Sequence, residues 1–112
     1  MDEKKTPAKP ALLPMGPPVV KILTPDDETP VAAGGFTATG FVRNIAALNG
    51  DVFDTTTSPA TMLYQGVAAV ITNQNNWNMP IGAVPAGRRL LLEVYGASGA
   101  ASYSDTTYFD AQ

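Results

Sequence analysis

The carboxylates are the first side chains to test for chemistry. Asp26-Asp27-Glu28 is the densest acidic run, and with Asp51, Asp54 or Asp105 it could supply the oxygen ligands that calcium prefers. The spacing is not that of an EF-hand loop, and consecutive acidic residues point to different sides. The run therefore reads as a solvated turn, and no metal site is expected. Asp54 or Glu93 with a second carboxylate could share acid and base roles, but no cluster of donors around them marks a pocket. The sequence contains neither histidine nor cysteine. Those absences remove the commonest general base, the Ser-His and Cys-His nucleophile pairs, thiolate metal sites and disulfides. No catalytic residue and no cofactor is assigned, and the chain reads as a non-enzyme.

Recognition chemistry is the alternative. Asn73-Gln74-Asn75-Asn76 leads into Trp77, the sole tryptophan, and amides bond hydroxyls while an indole face stacks on a sugar ring. Asn75, Asn76 and Trp77 are thus a candidate ligand or interface loop. A single Trp in a small sandwich more often caps the core. Arg88, with Arg89 beside it at the start of a strand, is a candidate interface residue, although an edge-protecting charge is the simpler reading. Tyr64, Tyr95, Tyr103 and Tyr108 fall on different expected strands, which leaves an aromatic strip on one sheet open.

Charge narrows the partners. The net charge is -3 and the pI about 4.6, with only seven basic residues, of which Lys4, Lys5 and Lys9 fall near the start. A nucleic-acid partner needs clustered Lys and Arg, so none is expected. No apolar run approaches the length of about 18 residues that crosses a bilayer, and no membrane contact is expected. The opening residues lack the apolar core of a secretory signal, which implies synthesis and retention in the cytoplasm until release.

Pro7, Pro10, Pro14, Pro17 and Pro18 punctuate the opening segment. Each removes a backbone donor and fixes φ, so the segment can be neither a helix nor a central strand. Residues 1–18 are expected to be an extended Pro-rich arm, and residues 19–112 the folded domain. Within the arm Leu12, Leu13 and Met15, together with Pro14 and Pro17, are candidate anchors for a partner.

From Val19 the text changes to short β-type runs broken by Gly, Pro, Asn and Asp. Strands are expected over Val19–Thr24, Phe36–Val42, Arg88–Tyr95 and Tyr103–Asp110, with Val31–Ala33 resuming the first edge. Asn49-Gly50 predicts a hairpin turn into Val52-Phe53. Met62–Thr72 reads as one bent strand or two meeting at a bulge near Gly66, and Gly96–Ser102 as a loop of small residues. Ile45–Leu48 fits a helical turn or a strand equally. In Phe36–Val42, residues Phe36, Ala38, Gly40 and Val42 share a face; in the later strand Leu90, Leu92 and Val94 oppose Leu91, Glu93 and Tyr95. The sum is an all-β sandwich of seven or eight strands.

The order Gly-Gly then FTATGFV, an NGDV segment, NNW, AGRRLLLEVYGASG and SDTTYF resembles bacterial and phage immunoglobulin-like modules. In such modules a late G-x-x-x-L-x-V strand and a final T-x-x-F strand close the sandwich, and Gly87–Val94 and Thr106–Phe109 have that form. The resemblance spans about residues 19–110 and lacks the paired Cys and third-strand Trp of antibody domains. It implies an immunoglobulin-like β-sandwich with an extended arm, of the kind found in capsid decoration or cement proteins of tailed phages. Such a protein would be a virion component, made in the host cytoplasm. Its partner would be the major capsid protein or another large protein assembly, and it would be a homo-oligomer. The alternative is a carbohydrate-binding or adhesive module of a secreted bacterial protein, acting through Asn75, Asn76 and Trp77.

Overall fold

The computed structural model describes residues 17–72 and 75–112. Eight strands carry them: β1 (Val19–Thr24), β2 (Phe36–Arg43), β3 (Asn49–Asp54), β4 (Thr61–Ala68), β5 (Val70–Thr72), β6 (Asn76–Ile81), β7 (Arg89–Ser98) and β8 (Ala101–Asp110). They form two sheets of four, in the orders β1-β2-β6-β5 and β4-β3-β7-β8, and every neighbouring pair of strands is antiparallel. Among the described residues no helix is long and apolar enough to cross a membrane.

Alternation builds the core. Ala38, Gly40 and Val42 of β2 face inward, as do Val52 of β3 and Leu90, Leu92 and Val94 of β7. Burying each Leu or Val contributes about 1.5–3 kcal/mol by transfer from water. Phe36 of β2 and Phe109 of β8 meet edge to face with ring centroids 5.3 Å apart, joining the two sheets. Gly40 lies opposite Trp77 of β6, and its missing side chain is what lets the indole lie flat in the core.

Several local expectations change. Asn49-Gly50 is not a turn: both residues open β3, Asn49 opposite Tyr95 and Gly50 opposite Val94. Gly50 leaves room there for the end of the Met79 side chain, whose sulfur would lie 2.6 Å from an added Cβ. Ile45–Leu48 is neither helix nor strand; it crosses from the first sheet to the second, with Ile45 and Leu48 buried as anchors. The Met62–Thr72 stretch is two strands in different sheets. Gly66, at φ 67°, accompanies the register shifts in β4, but the change of sheet falls at Ala69, whose N–H donates to the Leu48 carbonyl at 3.1 Å. The Gly96–Ser102 loop shrinks to Gly99-Ala100, because β7 and β8 keep pairing out to Ser98 and Ala101.

Val31 does return to an edge, but of the other sheet. It pairs in parallel with Ala111, its N–H donating to Asp110 O at 2.9 Å and its carbonyl accepting from Gln112 N at 2.9 Å. Earlier in the same segment the Ile22 N–H donates to Asp105 Oδ2 of β8 at 2.8 Å. The first strand and its extension thus close one open side of the sandwich.

Candidate functional site

The carboxylates do not converge. Asp26 Oδ1 accepts the backbone N–H groups of Glu28 and Thr29, at 3.0 and 2.8 Å, and those bonds hold its carboxyl below the ordinary value. Asp27 pairs with Arg89, and Asp51 Oδ1 accepts the Tyr95 hydroxyl at 2.9 Å and the Gly66 N–H at 2.8 Å. Asp105 is on Ile22. Among the described residues no group of three or more acidic side chains could hold a metal ion. A pocket of about 190 Å³ opens between Pro25, Pro30, Val31 and Phe36, below the roughly 300 Å³ at which small-molecule sites begin.

Asp54 is the one buried charged residue among those described, 3% exposed at the end of β3. Its Oδ1 accepts the Thr56 hydroxyl at 2.5 Å and the Thr56 N–H at 2.9 Å, and its Oδ2 accepts Arg88 Nη1 at 2.7 Å. The Thr56 bonds first, then the Arg88 charge, lower its pKa. Arg88 therefore serves as a clamp on the turn after β3. Its side chain is still half exposed, but its charge is committed within the domain.

Trp77 corrects the sugar-loop expectation. It is 2% exposed, sits in β6 opposite Gly40 and Ile71, and donates its indole N–H to Phe41 O at 3.3 Å. No ring face is left for a pyranose. Asn75 and Asn76 stay exposed, Asn75 lending its carbonyl to Val42 N at 2.7 Å. Leu12, Leu13, Pro14 and Met15 lie outside the described residues; Pro17 is exposed just before β1.

What the strands bring together lies on the outward face of the second sheet. Register places Met62 of β4 opposite Phe53 of β3, Phe53 opposite Leu91 of β7, and Leu91 opposite Tyr108 of β8. These four apolar side chains form a row across the whole sheet, each about 4.8 Å from the next strand. Phe53 and Leu91 are half buried, and the end members Met62 and Tyr108 are 43% and 49% exposed. Toward one side of the row lie Arg89 and Asp110, opposite each other, with the Arg89 guanidinium 5.8 Å from the Tyr108 ring. Toward the other lie Asp51, Glu93 and Thr106. Arg89 bonds Asp27 and, at 3.2 Å, Asp110, which raises its pKa further. The tyrosines make no strip: Tyr103 packs against the core and Tyr64 donates its hydroxyl to Ala83 O at 2.7 Å. The row was missed in the sequence, where only Leu91 on the Glu93 and Tyr95 face of its strand hinted at it.

No family model matches this chain, and no curated protein matches it either. Among solved structures, the crystal structure of the RIG-5 IG1 homodimer superposes with a TM-score of 0.53 at 14% identity, covering 87% of this chain and 99% of that one. The fold is immunoglobulin-like. The sheet order agrees: β1-β2-β6-β5 corresponds to the ABED sheet and β3-β7-β8 to CFG, with β4 as one further strand beside β3. At this identity the likeness speaks for the fold alone.

Proposed function

We propose that this chain is a non-enzymatic assembly module that works by protein contact through the outward face of β4-β3-β7-β8. The observation that carries the reading is the Met62–Phe53–Leu91–Tyr108 row, half buried at its centre and exposed at its ends, an apolar band on a face otherwise lined by polar and charged side chains. The absence of His and Cys from the sequence, and the separate structural duties of Asp26, Asp51, Asp54 and Asp105, support a non-catalytic role.

The assembly we favour is the outer shell of a tailed-phage capsid, as the resemblance of the strand order implies. The domain would decorate and stabilise that shell, with the major capsid protein as partner. The Pro-rich arm would add a second attachment through Leu12, Leu13 and Met15, since linked contacts bind more strongly than separate ones. Co-sedimentation with shells assembled from the phage's major capsid protein tests this. The unaltered chain pellets with shells, and replacing Leu12, Leu13 and Met15 by Ser weakens binding at least about tenfold without moving the melting temperature. Failure of the unaltered chain to pellet overturns the capsid assignment, and undiminished binding of the triple variant overturns the arm's part in it.

A further inference from the structure

We infer that a second copy of this chain covers the outward face of the second sheet, in a face-to-face dimer whose two-fold axis runs along the Met62–Phe53–Leu91–Tyr108 row. This rests on the reading of that face as a contact surface and names a second copy, rather than the shell protein, as its occupant, so that the arm and the remaining surface of the dimer hold the shell. The charge pattern selects the geometry. On β7, Arg89 and Glu93 flank Leu91 on the outward side, each about 6.6 Å from it at 3.3 Å per residue. Rotation about the row brings Leu91 onto Leu91 of the second copy and sets each Arg89 over a Glu93 of the other. On β8 the same rotation sets Asp110 over Thr106 of the second copy, and on the β3 side it sets Asp51 over the turn that follows the strand. Each Glu93 thus meets the Arg89 guanidinium, and each Asp110 a Thr106 hydroxyl.

The competing axis, parallel to the strands between β3 and β7, exchanges those two strands. Because Asp51 and Glu93 are direct register partners, it would press Asp51 against Glu93 of the second copy, like charge on like. Aligned sheets cross at about 30°, which shifts groups 6.6 Å from the axis by about 3 Å, within reach of a long guanidinium side chain. Arg89 has the capacity, since its bonds to Asp27 and Asp110 leave further N–H donors of its five. Four strands about 4.8 Å apart present roughly 500 Å² per copy, or about 1,000 Å² in the pair. That is at the low end of specific interfaces and corresponds to weak, reversible association.

The test is sedimentation velocity of the full chain over a range of concentrations, without any shell protein. The unaltered chain shows a monomer–dimer equilibrium in the micromolar range, of order 10–100 μM. Arg89→Glu and Glu93→Arg each weaken dimerisation at least about tenfold, because each sets like charges together twice. Mixed in equal amounts they restore it, because both contacts in the mixed pair are again opposite in charge. Leu91→Lys, which sets two ammonium groups on the axis, abolishes the dimer and serves if Arg89→Glu, having lost its contacts to Asp27 and Asp110, melts early. A chain that stays monomeric to about 1 mM, single variants that dimerise unchanged, or a mixture of folded variants that does not recover overturns the dimer. The readout is independent of shell binding: a monomer that pellets with shells refutes this inference and leaves the assembly reading standing.

Discussion

Adding one methyl group at Gly40 tests the account of the core most directly. Gly40 sits in β2, flanked by β1 and β6, with Ile22 on one side and Trp77 on the other. A Cβ built there falls on the Lys21 carbonyl oxygen and on the indole, with Trp77 Cε2 at 2.5 Å. Ordinary carbon–carbon contacts lie at about 3.5–4.0 Å, so the deficit is about 1 Å, against a backbone on one side and a rigid ring on the other. Neither can swing away as a flexible side chain would. Overpacking of this kind costs about 1–3 kcal/mol, and two stiff neighbours place Gly40→Ala at about 3 kcal/mol. For a domain of this size that lowers the melting temperature by about 12–24 °C at roughly 4–8 °C per kcal/mol. Thermal circular dichroism of Gly40→Ala reads the loss, with Gly34→Ala, where nothing lies within 4 Å, as the neutral control. Equal melting of the two variants would refute the claim that Trp77 is seated on the glycine.

Three further outcomes are expected. The Asp54 cap stabilises the fold above the ordinary carboxylate value of 3.8 and is lost as pH falls through the lower folded value, so Asp54→Asn lowers the melting temperature at pH 7 and narrows its gap to the parent in acid. The Tyr95 phenol, donating to Asp51, titrates above its ordinary 10.0, and Tyr95→Phe removes that late phase from the ultraviolet absorbance titration; its contribution to stability is present below 10.0 and fades as pH rises through the folded value. Trp77 fluorescence is that of a buried indole, unchanged by added sugars and shifted to the red only on unfolding; quenching by a sugar in the folded state would contradict its place in the core.

Much of the sandwich is legible because alternation reports burial within a single strand. Phe36 to Val42 and Leu90 to Val94 announce their inward faces through period two alone. Asn49-Gly50 misleads for a physical reason: the pair that favours a tight turn sits here in a strand, where the missing Gly side chain leaves room for the end of Met79. Trp77 is ambiguous for a related one, since its neighbours Asn75 and Asn76 are polar whether the ring points into a sugar or into the core. The apolar row is hidden because its members belong to four strands, and only the pairing register aligns Met62, Phe53, Leu91 and Tyr108. Within Asp51-Val52-Phe53-Asp54, Phe53 looks like a strand residue among acids. Nothing in that segment says that three more apolar side chains share its row.

The crossing of the first strand from one sheet to the other also has a mechanical side. β1 and its extension run parallel to β8, tied to it by the Ile22–Asp105 bond and by the ladder between Val31, Asp110 and Gln112. Val19 and Gln112 consequently sit toward opposite poles of the sandwich. Tension applied between those poles pulls β1 and β8 past each other lengthwise, so these bonds share the load in shear and must break together rather than peel open one at a time. A domain tethered at one pole and tugged at the other would resist as a unit, and the cross-sheet ties at Asp105 and Val31 would be the first to set its yield point.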